Sequence, residues 1–221
     1  MEALLVPFLE AAFRTATPLA LAAFGELVTE RAGVINLGLE GAIIAGCFGA
    51  LVAAGAAGPV AGFVGGTLAG IAIAALLALF VVTMRADQVI TGMAITLLGL
   101  GLTGTLYRIL FGLDGVALTT PTVPPLALPG LAEIPLLGPA LFRQSVLTYA
   151  LYVLVPLLHW WFRSTHAGLA LRATGEMAEA ARAAGILPDR VRWRAILFGG
   201  AMGGLCGATL VLVQAEPSVK E

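Results

Sequence analysis

Side chains able to do chemistry are scarce in this chain, and most of them fall in two clusters. The first is Gly25-Glu26-Leu27-Val28-Thr29-Glu30-Arg31-Ala32-Gly33-Val34-Ile35-Asn36-Leu37-Gly38-Leu39-Glu40-Gly41. It places three carboxylates, one guanidinium and one carboxamide between two long apolar runs. Glu26 and Glu30 are spaced i,i+4 and so share a helix face, with Arg31 beside them to neutralise one. Asn36 and Glu40 have the same spacing, deeper in the second run. Such groups either clamp helices together by hydrogen bonds or line a polar cavity. Glu40 is the hardest to place, because no further charge follows until Arg85. A lone carboxylate at that depth is also the kind of group that takes up a proton or a small cation.

The second cluster spans 164–192 and is too polar to sit in lipid. It offers Thr174 as a helix cap, Glu176 and Glu179 near the positive end, Arg182 one turn on, and Gly185 and Pro188 as stops. These signals predict a short helix of about three turns with a mostly alanine surface. Other chemistry is missing. His159 and His166 are the only histidines and have no spaced metal partners, so no metal site is expected. His159 stands beside Trp160 and Trp161, as in an interfacial aromatic belt. Cys47 and Cys206 lie within apolar runs and read as small buried hydrophobes. No Gly-x4-Gly-Lys-Ser/Thr sequence occurs, so the chain is not expected to bind ATP or to act as an enzyme.

The elements that carry these clusters follow from composition. Of 221 residues, 59% are hydrophobic and only 11% charged, and 28 are glycine. A soluble enzyme carries more than twice that charge. The net charge of -1 leaves no basic field for nucleic acid. With a mean hydropathy of +0.99, the chain reads as an all-α polytopic membrane protein surrounded by lipid. The apolar runs are long and do not alternate, which excludes a barrel. Six spans are expected, at about 3–25, 34–56, 59–83, 88–111, 144–163 and 193–214. The start Met1-Glu2-Ala3 lacks the basic region of a cleavable signal peptide.

Six of the twelve Lys and Arg residues lie between 163 and 194, with Arg31 and Arg85 at turns of the same parity. The positive-inside rule makes these turns cytoplasmic and both termini external. Residues 112–142 then form an external loop holding Pro121, Pro124, Pro125, Pro129, Pro135 and Pro139, which excludes a regular helix there. The whole of 1–221 reads as one transmembrane domain.

Gly58, Gly62, Gly66 and Gly70 recur every four residues, as do Gly199, Gly203 and Gly207. Such stripes let helix backbones approach closely and are read as packing faces. The fourth span mixes glycines with Thr91, Thr96, Thr103 and Thr105. Gly-interrupted helices tend to break where they line a cavity. Asn36, Glu40, Thr91 and Thr96 are therefore the candidate pathway residues.

Glu179-Ala180-Ala181-Arg182-Ala183-Ala184-Gly185 matches the EAA-xxx-G loop motif of ABC importer permeases. More specific are Ala16-Thr17-Pro18-Leu19, Gly25-Glu26-Leu27-Val28, the run from Glu30 to Gly41, and Gly168-Leu169-Ala170-Leu171-Arg172-Ala173. Over about residues 14–210 the chain resembles the branched-chain amino acid/simple sugar ABC permease family, and within it the nucleoside (guanosine-type) permease subunits. The resemblance implies a multi-pass permease half in the bacterial cytoplasmic (inner) membrane. It implies a second permease subunit, two copies of an ATPase subunit that holds the ATP, and an extracytoplasmic substrate-binding lipoprotein. It also implies that residues 168–187 couple to the ATPase, with Glu179, Ala180, Ala181 and Gly185 as its contacts and Arg172 and Arg182 in the same segment. Nothing so specific carries over to substrate contacts.

Family members usually continue with further spans after the sixth. The chain is therefore expected to be shortened at its C-terminus, as a fragment, a frameshifted product or a reduced subunit. The function expected is nucleoside import by alternating access. The alternatives are a simple-sugar or branched-chain amino acid permease, and a secondary transporter using Glu40.

Overall fold

The first helix, α1, runs through Glu2–Arg31 and contains two prolines, Pro7 and Pro18. A proline has no N–H for the carbonyl four residues earlier. For Pro18 that carbonyl belongs to Arg14, and it accepts instead from Gln214 Nε2 at 3.0 Å. In this computed structural model, which describes residues 2–112, 123–131 and 137–214, the chain is dominated by helix. A turn over residues 32–38 leads to α2 (Leu39–Ala57). Gly58 then turns the chain into α3 (Pro59–Ala78), whose last part continues as a π-helical turn over Leu79–Thr83. Arg85 takes a left-handed φ of 55°, rare for a residue with a side chain. Asp87 then caps α4 (Gln88–Phe111), its Oδ1 accepting from Val89 N and Ile90 N at 2.9 Å each.

Further on, strand β1 (Leu126–Ala127) pairs antiparallel with β2 (Arg143–Gln144), Leu126 opposite Gln144. Between them lies the short α5 (Leu137–Phe142). This helix falls inside the proline-rich stretch where none was expected. Pro139 is tolerated because it sits in the first turn, where N–H groups have no helical partner anyway. Pro121 and Pro135 lie outside the described residues. The chain continues as α6 (Val146–Ser164), α7 (His166–Glu176), α8 (Ala178–Ala183) and α9 (Pro188–Leu212).

Among the described residues, five helices are long and apolar enough to cross a membrane: α2, α3 with its π-helical turn, α4, α6 and α9. The protein is an all-α, multi-pass membrane protein. The first expected span, 3–25, lies within α1, which is not one of the five; Glu10 and Arg14 interrupt its apolar stretch. Two span boundaries also differ. The second helix starts at Leu39 rather than near 34, because Gly33 adopts a φ of +78° and opens a turn. The last starts at Pro188, where a proline suits the first helical turn.

Helices α2, α3 and α9 approach one another closely along seams lined by glycine. A Cβ on Gly70 would lie 2.6 Å from the backbone of Gly204, and one on Gly46 would lie 2.6 Å from Gly204 Cα. A Cβ on Gly66 would meet Gly46 O at 2.8 Å and Ala208 Cβ at 2.9 Å, and one on Gly62 would meet Ala54 and Leu212. Gly207 faces the backbone of α2 at Ile43 and Cys47, Gly203 faces Leu39, and Gly199 faces Thr29 of α1. Helix α4 joins the group where Gly99 meets Gly41. Gly58 departs from the stripe. It ends α2 with φ at 86°, nothing lies within 4 Å of its would-be Cβ, and its role is to turn the chain.

Helix α9 is the most enclosed of the five and α6 the least. Outside this centre, Ile90, Leu97 and Ile109 on α4 and Val153 on α6 are exposed, as apolar side chains in contact with lipid are.

Candidate functional site

Two regions hold the expected functional residues: the α1–α2 turn and the α7–α8 segment. In the turn, Asn36 is 5% exposed and precedes α2. It therefore does not share a helix face with Glu40, because the i,i+4 argument holds only within one helix. Its backbone N–H donates to Glu26 Oε1 at 3.2 Å. The same side chain of Glu26 accepts from Thr29 Oγ1 at 3.4 Å through its other oxygen. Glu26 lies beyond the span read at 3–25, near the end of α1. Burial pushes its carboxyl above the ordinary value. The Asn36 N–H works against that rise, the charge of Glu30 adds to it, and the Thr29 hydroxyl opposes it. Glu40 is exposed in the first turn of α2, where a carboxylate is favoured by the helix dipole.

Of the other two candidate pathway residues, Thr96 meets the turn directly. Its hydroxyl donates to Leu37 O at 2.9 Å. Thr91 is half-buried in the first turn of α4, where its backbone N–H bonds Asp87 O at 3.1 Å. The structure thus brings Asn36 and Thr96 to one turn and leaves Glu40 facing outward. It also adds a residue that the sequence did not single out: Gln88, whose Oε1 accepts from Ile35 N at 2.9 Å.

In the second region the helix does not begin at a Thr174 cap. Thr174 is buried within α7, its hydroxyl bonded back to Ala170 O at 2.7 Å. The alanine-rich sequence on both sides keeps the helix continuous through it. The cap is Thr165, whose Oγ1 accepts from Gly168 N at 3.1 Å and donates to Trp161 O at 2.7 Å. The break comes at Met177, in extended conformation. Helix α8 after it is six residues long. It closes with two bonds, Gly185 N to Arg182 O and Ile186 N to Ala181 O, each 3.0 Å. This is the Schellman pattern, and Gly185 supplies the left-handed residue it needs, with φ at 83°.

The motif residues divide by exposure. Ala181 is buried and anchors α8, whereas Glu179, Ala180 and Arg182 are exposed on a face with small side chains between the charges. Arg172, on α7, is half-buried, and its Nε has no hydrogen-bond partner among the described residues.

A cavity of about 560 Å³ lies between α1, α6, α7 and α9. Its walls include Val28, Leu157, Trp161, Leu171 and Phe198, with Arg194 the one charged group. None of the four candidate pathway residues lines it, and it offers little hydrogen bonding to a polar solute. A smaller, polar cavity of about 210 Å³ lies toward the other end of α1, beside Glu10, Arg14, Arg143 and Gln144. Among the described residues, no three His, Cys, Asp or Glu side chains gather as metal ligands.

A family model described as a branched-chain amino acid transport system permease component matches residues 8–220. A putative glucose ABC transporter permease of Haloferax volcanii is 36% identical over 209 residues, covering 92% of this chain and 62% of that protein. The guanosine ABC transporter permease of Bacillus subtilis is 32% identical over 200 residues, covering 87% of this chain and 63% of its own. A nucleoside ABC transporter permease of Lactococcus lactis is 32% identical over 200 residues, with the same two coverages of 87% and 63%. The chain thus spans less than two thirds of the length of these relatives. No solved structure matches it.

Proposed function

Because the chain belongs to the family of branched-chain amino acid transport permease components, we propose that it is a membrane-spanning permease subunit of an ATP-driven ABC importer for nucleosides. The observation that carries this is the exposed face of α8, Glu179, Ala180 and Arg182, anchored by buried Ala181 beside a bundle whose family match runs from 8 to 220. ATP is bound and hydrolysed by a partner subunit that docks on this face. The positive-inside rule puts α7 and α8 in the cytoplasm, where such a motor works, and the proline-rich stretch 112–142 outside, facing a substrate-binding lipoprotein. A second permease subunit completes the pathway, and alternating access moves the substrate. In this scheme α8 transmits the motor's movement, and Asn36, Thr91 and Thr96 stand near the polar pathway. A polar, uncharged substrate suits spans that carry almost no charge.

The glucose permease among the relatives, at 36% identity, favours a second reading in which the substrate is a simple sugar. One experiment addresses both. The complex pulled from native membranes with a tag on this chain is tested for ATP-dependent uptake of radiolabelled guanosine, glucose and leucine. Guanosine uptake supports the first reading and glucose uptake the second. Glu179→Arg reverses a charge on the exposed face, and it should abolish uptake while the complex still assembles. Unchanged uptake in that variant refutes the docking role of α8.

A further inference from the structure

The α1–α2 turn is held from three sides, by a backbone-to-backbone contact from α7 and by side-chain hydrogen bonds to its backbone from α9 and α1. From α7, Gly175 presses against it: a Cβ on Gly33 would lie 3.1 Å from Gly175 Cα, and one on Gly175 would strike Arg31 O and lie 3.1 Å from Gly33 N. From α9, Arg192 Nε donates to Ala32 O at 3.3 Å. From α1, Glu26 accepts from Asn36 N. The far side of the turn is fixed to α4 in the same manner. Gln88 Oε1 accepts from Ile35 N and Thr96 Oγ1 donates to Leu37 O, both at 2.9 Å. A Cβ on Gly92 would lie 2.7 Å from Leu37 Cβ and 3.1 Å from Gly38 N. Met177 joins the two helices: its N–H donates to Ala173 O of α7 and its carbonyl accepts from Ala181 N of α8, each at 3.0 Å.

We infer that residues 32–38 form a stiff joint that carries movement of the α7–α8 segment to α4, with Gly175, Gly33 and Gln88 as positioning residues. The inference rests on the proposed coupling role of α8. Side-chain contacts can yield by changing rotamer; backbone-to-backbone contacts cannot, and packed protein is nearly incompressible. A displacement of α7 therefore moves Arg31 and Gly33 with it. The turn in turn meets α4 backbone to backbone at Gly92, and the hydrogen bonds to Gln88 and Thr96, two helical turns apart, fix the register of that contact. Gly33 is fitted to its place twice over: its φ of +78° disfavours a side chain, and Gly175 leaves no space for one. This gives Asn36 and Thr96 a second use, in holding the joint.

The test uses the assembled complex in proteoliposomes, with uptake and ATP hydrolysis measured together for whichever of guanosine or glucose the wild-type complex takes up. Gln88→Leu removes one bond at a half-exposed position and leaves the bundle core alone. It should lower substrate moved per ATP hydrolysed by roughly two- to tenfold, the range of one hydrogen bond, with hydrolysis persisting. Gly175→Ala should lower the same ratio, and because both variants break one line of contacts, the double variant should be no worse than the more severe single. Additive losses, or equal falls in uptake and hydrolysis, overturn the joint. Should Gly175→Ala fail to assemble, an unchanged ratio in Gln88→Leu alone overturns it. Failure of the underlying coupling reading shows separately, as normal uptake in Glu179→Arg.

Discussion

Replacing Gly70 by alanine adds one methyl group at the tightest seam of the bundle. Its Cβ would strike Gly200 O and lie 2.6 Å from both Gly204 Cα and Gly204 N, whereas ordinary contact begins near 3.4 Å. All are backbone atoms, so no side chain can rotate away. Helices α3 and α9 must separate locally by about 1 Å, enough to forfeit a quarter to a half of the dispersion energy across the seam. Overpacking of this kind costs about 1–3 kcal/mol, and the absence of a flexible neighbour puts this site in the upper half of that range. Alanine's better helix propensity offsets about 1 kcal/mol. The net expectation is destabilisation by about 1–2 kcal/mol. Gly101→Ala on α4 is the control, since nothing lies within 4 Å of its would-be Cβ. It should be neutral or stabilising by up to about 1 kcal/mol. Reversible unfolding in mixed micelles, titrated with SDS, measures both variants. Equal stability of the two, or a more stable Gly70→Ala, would falsify the close-approach argument.

Two further expectations follow from local geometry. Asp87→Ala removes the acceptor for two N–H groups at the start of α4 and should cost about 1 kcal/mol in the same unfolding assay, with Asp87→Ser retaining most of it; no loss in either would mean the cap is replaced by water without penalty. Glu26 binds its proton more tightly in the folded protein than its ordinary value near 4.5. Its contribution is therefore fully present below 4.5 and is lost as pH rises through the raised folded value. Glu26→Gln, which keeps an acceptor for Asn36 N–H, should flatten the stability profile just above pH 4.5, and an unchanged profile would exclude Glu26 as its source.

Five apolar spans were legible in the sequence because about 20 consecutive apolar residues have few other uses. The residues between the spans were less so. Pairing Asn36 with Glu40 assumed a helix that Gly33 and the turn after it interrupt. Gly58 fitted a four-residue stripe by spacing, yet Pro59 beside it marks a helix start, and that signal was the better one. Thr174 looks like a cap by residue type, but alanine-rich neighbours carry the helix past it, and the cap is Thr165, which stands at a break. Gln88 and the pairing of Gln214 with Arg14 had no local signal at all, since their partners lie 53 and 200 residues away. The motif face on α8 was legible as residues but not as geometry: only the burial of Ala181 separates its anchor from its exposed side.

The enclosure of α9 bears on how the protein is made. The helix packs against α1, α2 and α3 through Gly199, Gly203, Gly204 and Gly207, yet it is the last helix in the described order to leave the ribosome. Until it arrives, the glycines of the first three helices that face it, Gly25, Gly46 and Gly70 among them, lack that partner. A nascent chain halted before Pro188 would present those bare backbones to lipid or to a chaperone, and membrane quality control would meet it as an open bundle.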